Sequence, residues 1–141
     1  MLCLTCKNLS FEIICKDCQK NLLTPSFHKR ELEDGFFNYS FYSLSELEDL
    51  LNSKYYFFGD KVFNILAKLS FEKFAQNFSF DSKILAIPID DHTRHEFSHT
   101  AILANHLKSQ FITPKYNTLK ATNIVKYAGK DLEFRQKNPR K

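Results

Sequence analysis

Cys3 and Cys6, then Cys15 and Cys18, form two Cys-x-x-Cys pairs within the first eighteen residues of a 141-residue chain that has no other cysteine. This is the spacing at which two sulfurs on a tight turn reach one cation, and two such pairs complete a tetrahedral thiolate shell for Zn²⁺. The eight-residue spacer from Lys7 to Ile14 suffices to fold back as a small hairpin-like loop. Disulfides are the competing use of four cysteines. Met1-Leu2-Cys3 leaves no room for a signal peptide, so the chain is expected in the reducing cytoplasm, where metal ligation is favoured over disulfide formation. A shell of four protein ligands is closed, so the expected zinc holds structure and does not activate water.

A second group of residues able to do chemistry follows the apolar run Lys83 to Ile89. Asp90 and Asp91 sit where that run ends, and ligands of open α/β sheets bind outside the carboxyl ends of strands. Arg94 is the best candidate for phosphate oxygens, through its bidentate guanidinium fork. A phosphate cradle needs small residues directly after the acids, so that backbone amides can approach; His92-Thr-Arg-His-Glu96 stands there instead. His92, His95 and His99 cluster with the acids, yet no HExxH frame is present, and a polar loop with hydrogen-bonding histidines is the better reading than a metal site.

The third group is basic. From Lys108 to Lys141 there are nine Lys/Arg against two acids, a net of +7 that leaves −3 for the rest of a +4 chain. Lys115, Lys120, Lys126, Lys130, Arg135, Lys137 and Arg140 suit the phosphates of single-stranded nucleic acid, and a solvated helix face is the alternative. Tyr116 and Tyr127 could add base stacking. Most of the fifteen Phe and six Tyr must fill a core that has no Trp and a single Met. Three glycines exclude Walker A and dinucleotide-binding fingerprints. No apolar run reaches roughly eighteen residues, so no membrane span is expected.

The elements that must position these groups read as follows. Gln19 to Gly35, with Pro25, reads as a linker, and Phe36 to Tyr42 as a strand. Ser43-Leu-Ser-Glu46 is a capping box opening a helix with Leu44, Leu47, Leu50 and Leu51 on one face. After Gly59-Asp60 a second helix runs to about Asn77. Lys83 to Ile89 is a buried parallel strand, and 90–97 a polar loop. Ser98 caps a helix to about Gln110, and Pro114 breaks the chain. A short strand over Tyr116 to Thr122 and a basic helix over Lys126 to Lys137 complete the pattern. Strand, loop, helix begins an α/β crossover.

Taken in order, these blocks resemble the ComF family of competence proteins, which join a four-cysteine zinc module to a type I phosphoribosyltransferase-like domain. Cys3, Cys6, Cys15 and Cys18 match the module. Tyr39-Ser-Phe-Tyr42, the Leu47–Lys54 helix and Gly59-Asp60 are similar to the family's Y-x-Y…L-K-Y-x-G-D stretch. Ile84 to Ile89 takes the place of its V-P-V-P strand, Phe97-Ser-His99 that of a G-F-N-Q turn, and Phe134-Arg135 with Asn138 that of R-x-x-N. The resemblance implies an α/β protein with a zinc knuckle over residues 1–24 and an incomplete phosphoribosyltransferase-like (Rossmann-like) domain over 25–141. It implies a C-terminally truncated member, since the acid-pair loop with its Thr/Gly cradle and a closing helix would follow Asn138. Ligand-loop candidates are then Asp90, Asp91, Arg94, Ser98, Arg135 and Asn138. The implied role is accessory, handling incoming single-stranded DNA in natural transformation beside the proteins of the uptake machinery. The alternative is a phosphoribosyltransferase using phosphoribosyl diphosphate, inactive without the missing loop.

Overall fold

The computed structural model describes residues 1–79, 81–90, 97–123, 125, 127, 129–139 and 141, with the side chain of Asp90 left aside. Helix α1 (Lys16–Asn21) follows the first cysteine pair and carries Cys18 on its inner side. The segment read as a linker contains a strand: β1 (His28–Glu31) pairs antiparallel with β2 (Phe37–Ser40), His28 opposite Ser40 and Glu31 opposite Phe37. The hairpin escaped a pattern reading because β1 is exposed at every position and so shows no apolar alternation. The turn between the strands holds Asp34 and Gly35 at positive φ.

Helix α2 (Leu44–Leu51) opens on the expected capping box, the Ser43 N–H donating to the Glu46 carboxylate at 3.0 Å. Leu47 and Leu50 are buried, whereas Leu44 in the first turn is 72% exposed and lies off that face. A 3₁₀ turn (Asn52–Tyr55) leads to α3 (Gly59–Ala67), which runs through a π-helical segment (Lys68–Glu72) into α4 (Lys73–Asn77). The helix therefore ends where the periodicity predicts. At the π segment the buried Ser70 hydroxyl donates back to the Leu66 carbonyl at 2.6 Å, a local bond that competes with the regular ladder.

The strand expected over Lys83 to Ile89 is divided into β3 (Ile84–Ala86) and β4 (Ile89–Asp90). Pro88, which has no N–H to give a ladder, falls in the gap. Both halves pair parallel, as expected: β3 with β5 (Ile112–Pro114) and β4 with β6 (Leu119–Lys120). Pro114 thus ends a strand. Full burial does not hold, since Leu85 and Ile89 are 58% and 68% exposed. Ser98 caps α5 (His99–Asn105), its hydroxyl accepting the Ala101 N–H at 3.2 Å. The helix stops short of Gln110 because the Ser109 hydroxyl accepts the Phe111 and Ile112 N–H groups and turns the chain into β5. The last helix, α6 (Leu132–Lys137), starts later than expected. Gly129 adopts a left-handed φ of 72°, and the Asp131 carboxylate caps the helix by accepting the Phe134 N–H at 2.7 Å.

The largest core couples the N-terminus to the helices. Cys3, Ile14, Cys18 and Leu23 pack in one cluster with Leu47, Leu50, Val62 and Leu66. A second cluster is aromatic: the Phe41 ring meets Phe27, Phe71 and Phe74, and Tyr39 meets Phe74 and Phe78. Core packing thus claims many of the rings, while Phe11, Phe36 and Phe57 stand in solvent.

Tyr42 fastens the N-terminal segment to the rest, its hydroxyl donating to the Leu23 carbonyl at 3.0 Å. Burial pushes the phenol from 10.0 up to about 12, against a lowering hydrogen bond with Ser70. A group raised in this way contributes stability that is present below the unfolded value and lost as pH rises through about 12. Tyr42→Phe should cost about 1 kcal/mol, read as a lowered urea midpoint with unchanged slope. An unaltered midpoint would show that the hydroxyl contributes nothing.

Candidate metal centre

Residues 1–18 build the site from two different local structures. Met1–Cys3 and Asn8–Ser10 pair antiparallel: the Met1 and Ser10 backbones exchange bonds of 3.1 and 2.9 Å, and the Cys3 N–H donates to the Asn8 carbonyl at 2.8 Å. The spacer therefore does fold back as a hairpin. Its turn closes with the Lys7 N–H on the Cys3 carbonyl at 3.0 Å, Lys7 itself taking a left-handed φ of 63°. The second pair is different. Cys15 is the N-cap of α1 and Cys18 lies in its first turn, with the Cys18 N–H donating to the Cys15 sulfur at 3.5 Å. The Gln19 amide braces the approach, donating to the Glu12 carboxylate and to the Ile14 carbonyl, both at 2.7 Å.

The four sulfurs all lie within 4.8 Å of one another. A tetrahedral shell with Zn–S of about 2.3 Å places its sulfurs roughly 3.8 Å apart. Cys6 Sγ and Cys15 Sγ stand at 3.7 Å, on that edge length and well beyond a covalent S–S bond. All four cysteines are free. Donor number, donor type and spacing thus fit a structural metal ion.

Their electrostatics point the same way. Burial tends to raise the Cys3 thiol, but hydrogen bonds from the Cys15, Cys6 and Thr5 backbones and the Cys6 side chain outweigh it, bringing the group from 9.0 down to about 6. Burial pushes Cys18 up to about 12, and the other three thiols push in the same direction. Four neighbouring thiols do not all ionise without a cation, because each new thiolate repels the last. A divalent ion would supply the missing positive charge. Four protein donors leave it no position for water or substrate, so the centre can hold structure but cannot hydrolyse.

The other candidate residues are more dispersed. Asp90 and Lys120 are neighbours in register at the carboxyl ends of β4 and β6. Ser98 serves as the cap of α5, with its hydroxyl also 3.0 Å from that of Thr100. Arg135 reaches the Tyr127 carbonyl at 3.4 Å, and the Asn138 side chain donates to the Phe134 carbonyl at 3.0 Å, so both close the C-terminal turn. Lys115, Lys120, Lys130, Arg135 and Lys137 are exposed. The Lys137 ammonium pairs with Glu133, and that of Lys130 lies 5.0 Å from the Phe134 ring centre. Asp91, Arg94, Lys126 and Arg140 lie outside the described residues, as do His92, His95 and Glu96.

Two features had no local signal in the sequence. His106 joins elements far apart in the chain, Nδ1 lying 3.1 Å from the Glu72 carboxylate and Nε2 3.0 Å from the Asn64 side-chain oxygen. Gly59 lies so close to the Ser53 carbonyl that a Cβ there would collide with it and stand 2.8 Å from the Phe97 ring. Neither contact can be read from spacing, because the partners meet only through the tertiary fold.

Comparison with protein-family models and with curated proteins finds no match for the chain. Among the described residues no helix is long and apolar enough to cross a membrane. The candidate metal centre and the mixed helix-and-strand fold therefore rest on the geometry itself.

Proposed function

We propose that the protein is a zinc-stapled, ComF-like accessory factor that handles single-stranded DNA in the cytoplasm, working beside proteins of the DNA-uptake machinery. Zinc is the natural ion for four thiolates at tetrahedral spacing. The observation that carries the nucleic-acid reading is the exposure of Lys115, Lys120, Lys130, Arg135 and Lys137 in the C-terminal quarter of the chain, with Tyr116 43% exposed among them. Lysines held in water contact phosphates at little desolvation cost, and an exposed ring can stack on an unpaired base.

Lys115→Glu, Lys120→Glu and Lys130→Glu together should abolish binding of a fluorescent oligo-dT in anisotropy titrations. Wild-type affinity should fall with salt by about 0.7 log units per phosphate contact per decade. Equal binding by the triple variant would reduce the basic C-terminal segment to a solvated surface.

A phosphoribosyltransferase-like reading of the second half draws support from the parallel strand–helix–strand unit β3, α5, β5 and from Asp90 at a strand end. His92 and Thr93 follow the acids in place of a glycine-containing cradle. Calorimetry with phosphoribosyl diphosphate should accordingly show no micromolar binding. Tight binding would favour the transferase over the accessory role.

A further inference from the structure

We infer that the Cys6–Cys15 edge of the metal centre is an oxidation site, at which a peroxide forms a disulfide and releases the metal. The inference rests on the metal-binding reading above. What carries it is the unequal burial of the four cysteines. Cys3 and Cys18 are 0% and 5% exposed, sealed into the core shared with α2 and α3. Cys6 is exposed and Cys15 half-buried. Each Cys-x-x-Cys pair therefore contains one buried cysteine. The only pair with both members within reach of solvent crosses between the two, and its sulfurs stand 3.7 Å apart.

Oxidation follows thiolate character and access, and ligation to a metal keeps both sulfurs in the thiolate form. The Cys6 thiolate attacks one peroxide oxygen, the O–O bond breaks, and the departing hydroxide takes a proton to become water. Cys6 is then a sulfenic acid. The Cys15 thiolate attacks its sulfur, an S–S bond forms as the S–O bond breaks, and a second hydroxide leaves and is protonated to water. Two sulfurs have lost two electrons in total to one peroxide, and the metal does not change oxidation state. The sulfurs must close from 3.7 Å to about 2.05 Å, a movement of side-chain size.

The metal is left with Cys3 and Cys18, half of its shell. Cys15 also loses its thiolate, the acceptor that caps α1 through the Cys18 N–H. Oxidation thus removes two ligands and weakens the turn that presents a third.

The test uses the full chain loaded with zinc. Zinc per chain, measured first by elemental analysis, checks the metal reading independently: a carefully reduced protein that takes up none refutes that reading and the metal-release half of this one. Hydrogen peroxide is then titrated in, with released zinc followed by a chromogenic chelator and crosslinks mapped by non-reducing peptide mass spectrometry. The first crosslink should be Cys6–Cys15, appearing at the same rate as free zinc, and dithiothreitol with added zinc should restore the centre. Cys6→His keeps a fourth ligand without the exposed thiolate and should slow zinc release by about tenfold. A first crosslink within either Cys-x-x-Cys pair, in the zinc-loaded or the zinc-free chain, would overturn the assignment. So would zinc release that precedes any crosslink.

Discussion

Chelating the metal from the four-cysteine centre should destabilise much more than the first twenty residues. Cys3 and Cys18 pack in the same cluster as Leu47, Leu50, Val62 and Leu66, so two of the four candidate ligands also wall the helical core. The free energy of a structural zinc site is folding free energy, on the order of 10 kcal/mol for the ion itself, and some of it is lost to whatever structure the free chain retains. A fall of several kcal/mol is expected, on the order of 10 °C in melting temperature for a domain this size. Hydrogen exchange should show protection lost in α1 and reduced in α2 and α3, with β3, β5 and α5 least affected. Cys18→Ser should behave likewise, since it removes a ligand and leaves a hydroxyl in a buried site. Unchanged protection in α2 and α3 would mean that the centre stabilises only its own loop.

Acid should have the same effect as chelation. The ion must displace the proton of Cys18, whose thiol burial holds at about 12, so binding releases protons and weakens as pH falls. Cys3 adds to this only at the acid end, because its thiolate is lost as pH drops through about 6. Metal affinity should therefore decline steadily between about pH 8 and pH 6, with calorimetric heats that depend on the ionisation enthalpy of the buffer. Affinity constant across that range would exclude thiolate ligation.

Gly59→Ala is expected to be the most damaging small substitution, at about 3 kcal/mol, the upper end of ordinary overpacking. On an exposed helix the same change gains up to about 1 kcal/mol from helix propensity. Here the sign reverses, because the new methyl group meets the Ser53 carbonyl, which is backbone and cannot swing away, and then the Phe97 ring. Either α3 moves off the preceding turn or the turn opens. Gly35→Ala and Gly129→Ala make the comparison, since nothing lies within 4 Å of a Cβ at either and only the positive φ penalises them. Those two should cost about 1 kcal/mol each. Equal losses at all three positions would show that conformation matters at Gly59 and close packing does not.

Local chemistry carried much of the protein into view. The Cys-x-x-Cys spacing alone places two sulfurs on one turn, and the capping box over Ser43–Glu46, the end of the long helix at Asn77 and the parallel pairing of the 83–89 run follow from neighbouring residues. Readings failed where partners were distant or burial was unequal. Strand β1 has no apolar face to announce it, and α6 waits for the Asp131 cap because Gly129 turns the chain first.

The sequence by itself determined the four candidate ligands, since a tetrahedral thiolate site needs only the right residues at short range. Which sulfurs face solvent, and which are built into the helical core, depended on where Leu47, Leu50, Val62 and Leu66 came to rest. Burial is a property of surfaces brought together from across the chain. Only the tertiary structure could therefore divide four chemically identical cysteines into a buried pair, one half-buried and one exposed.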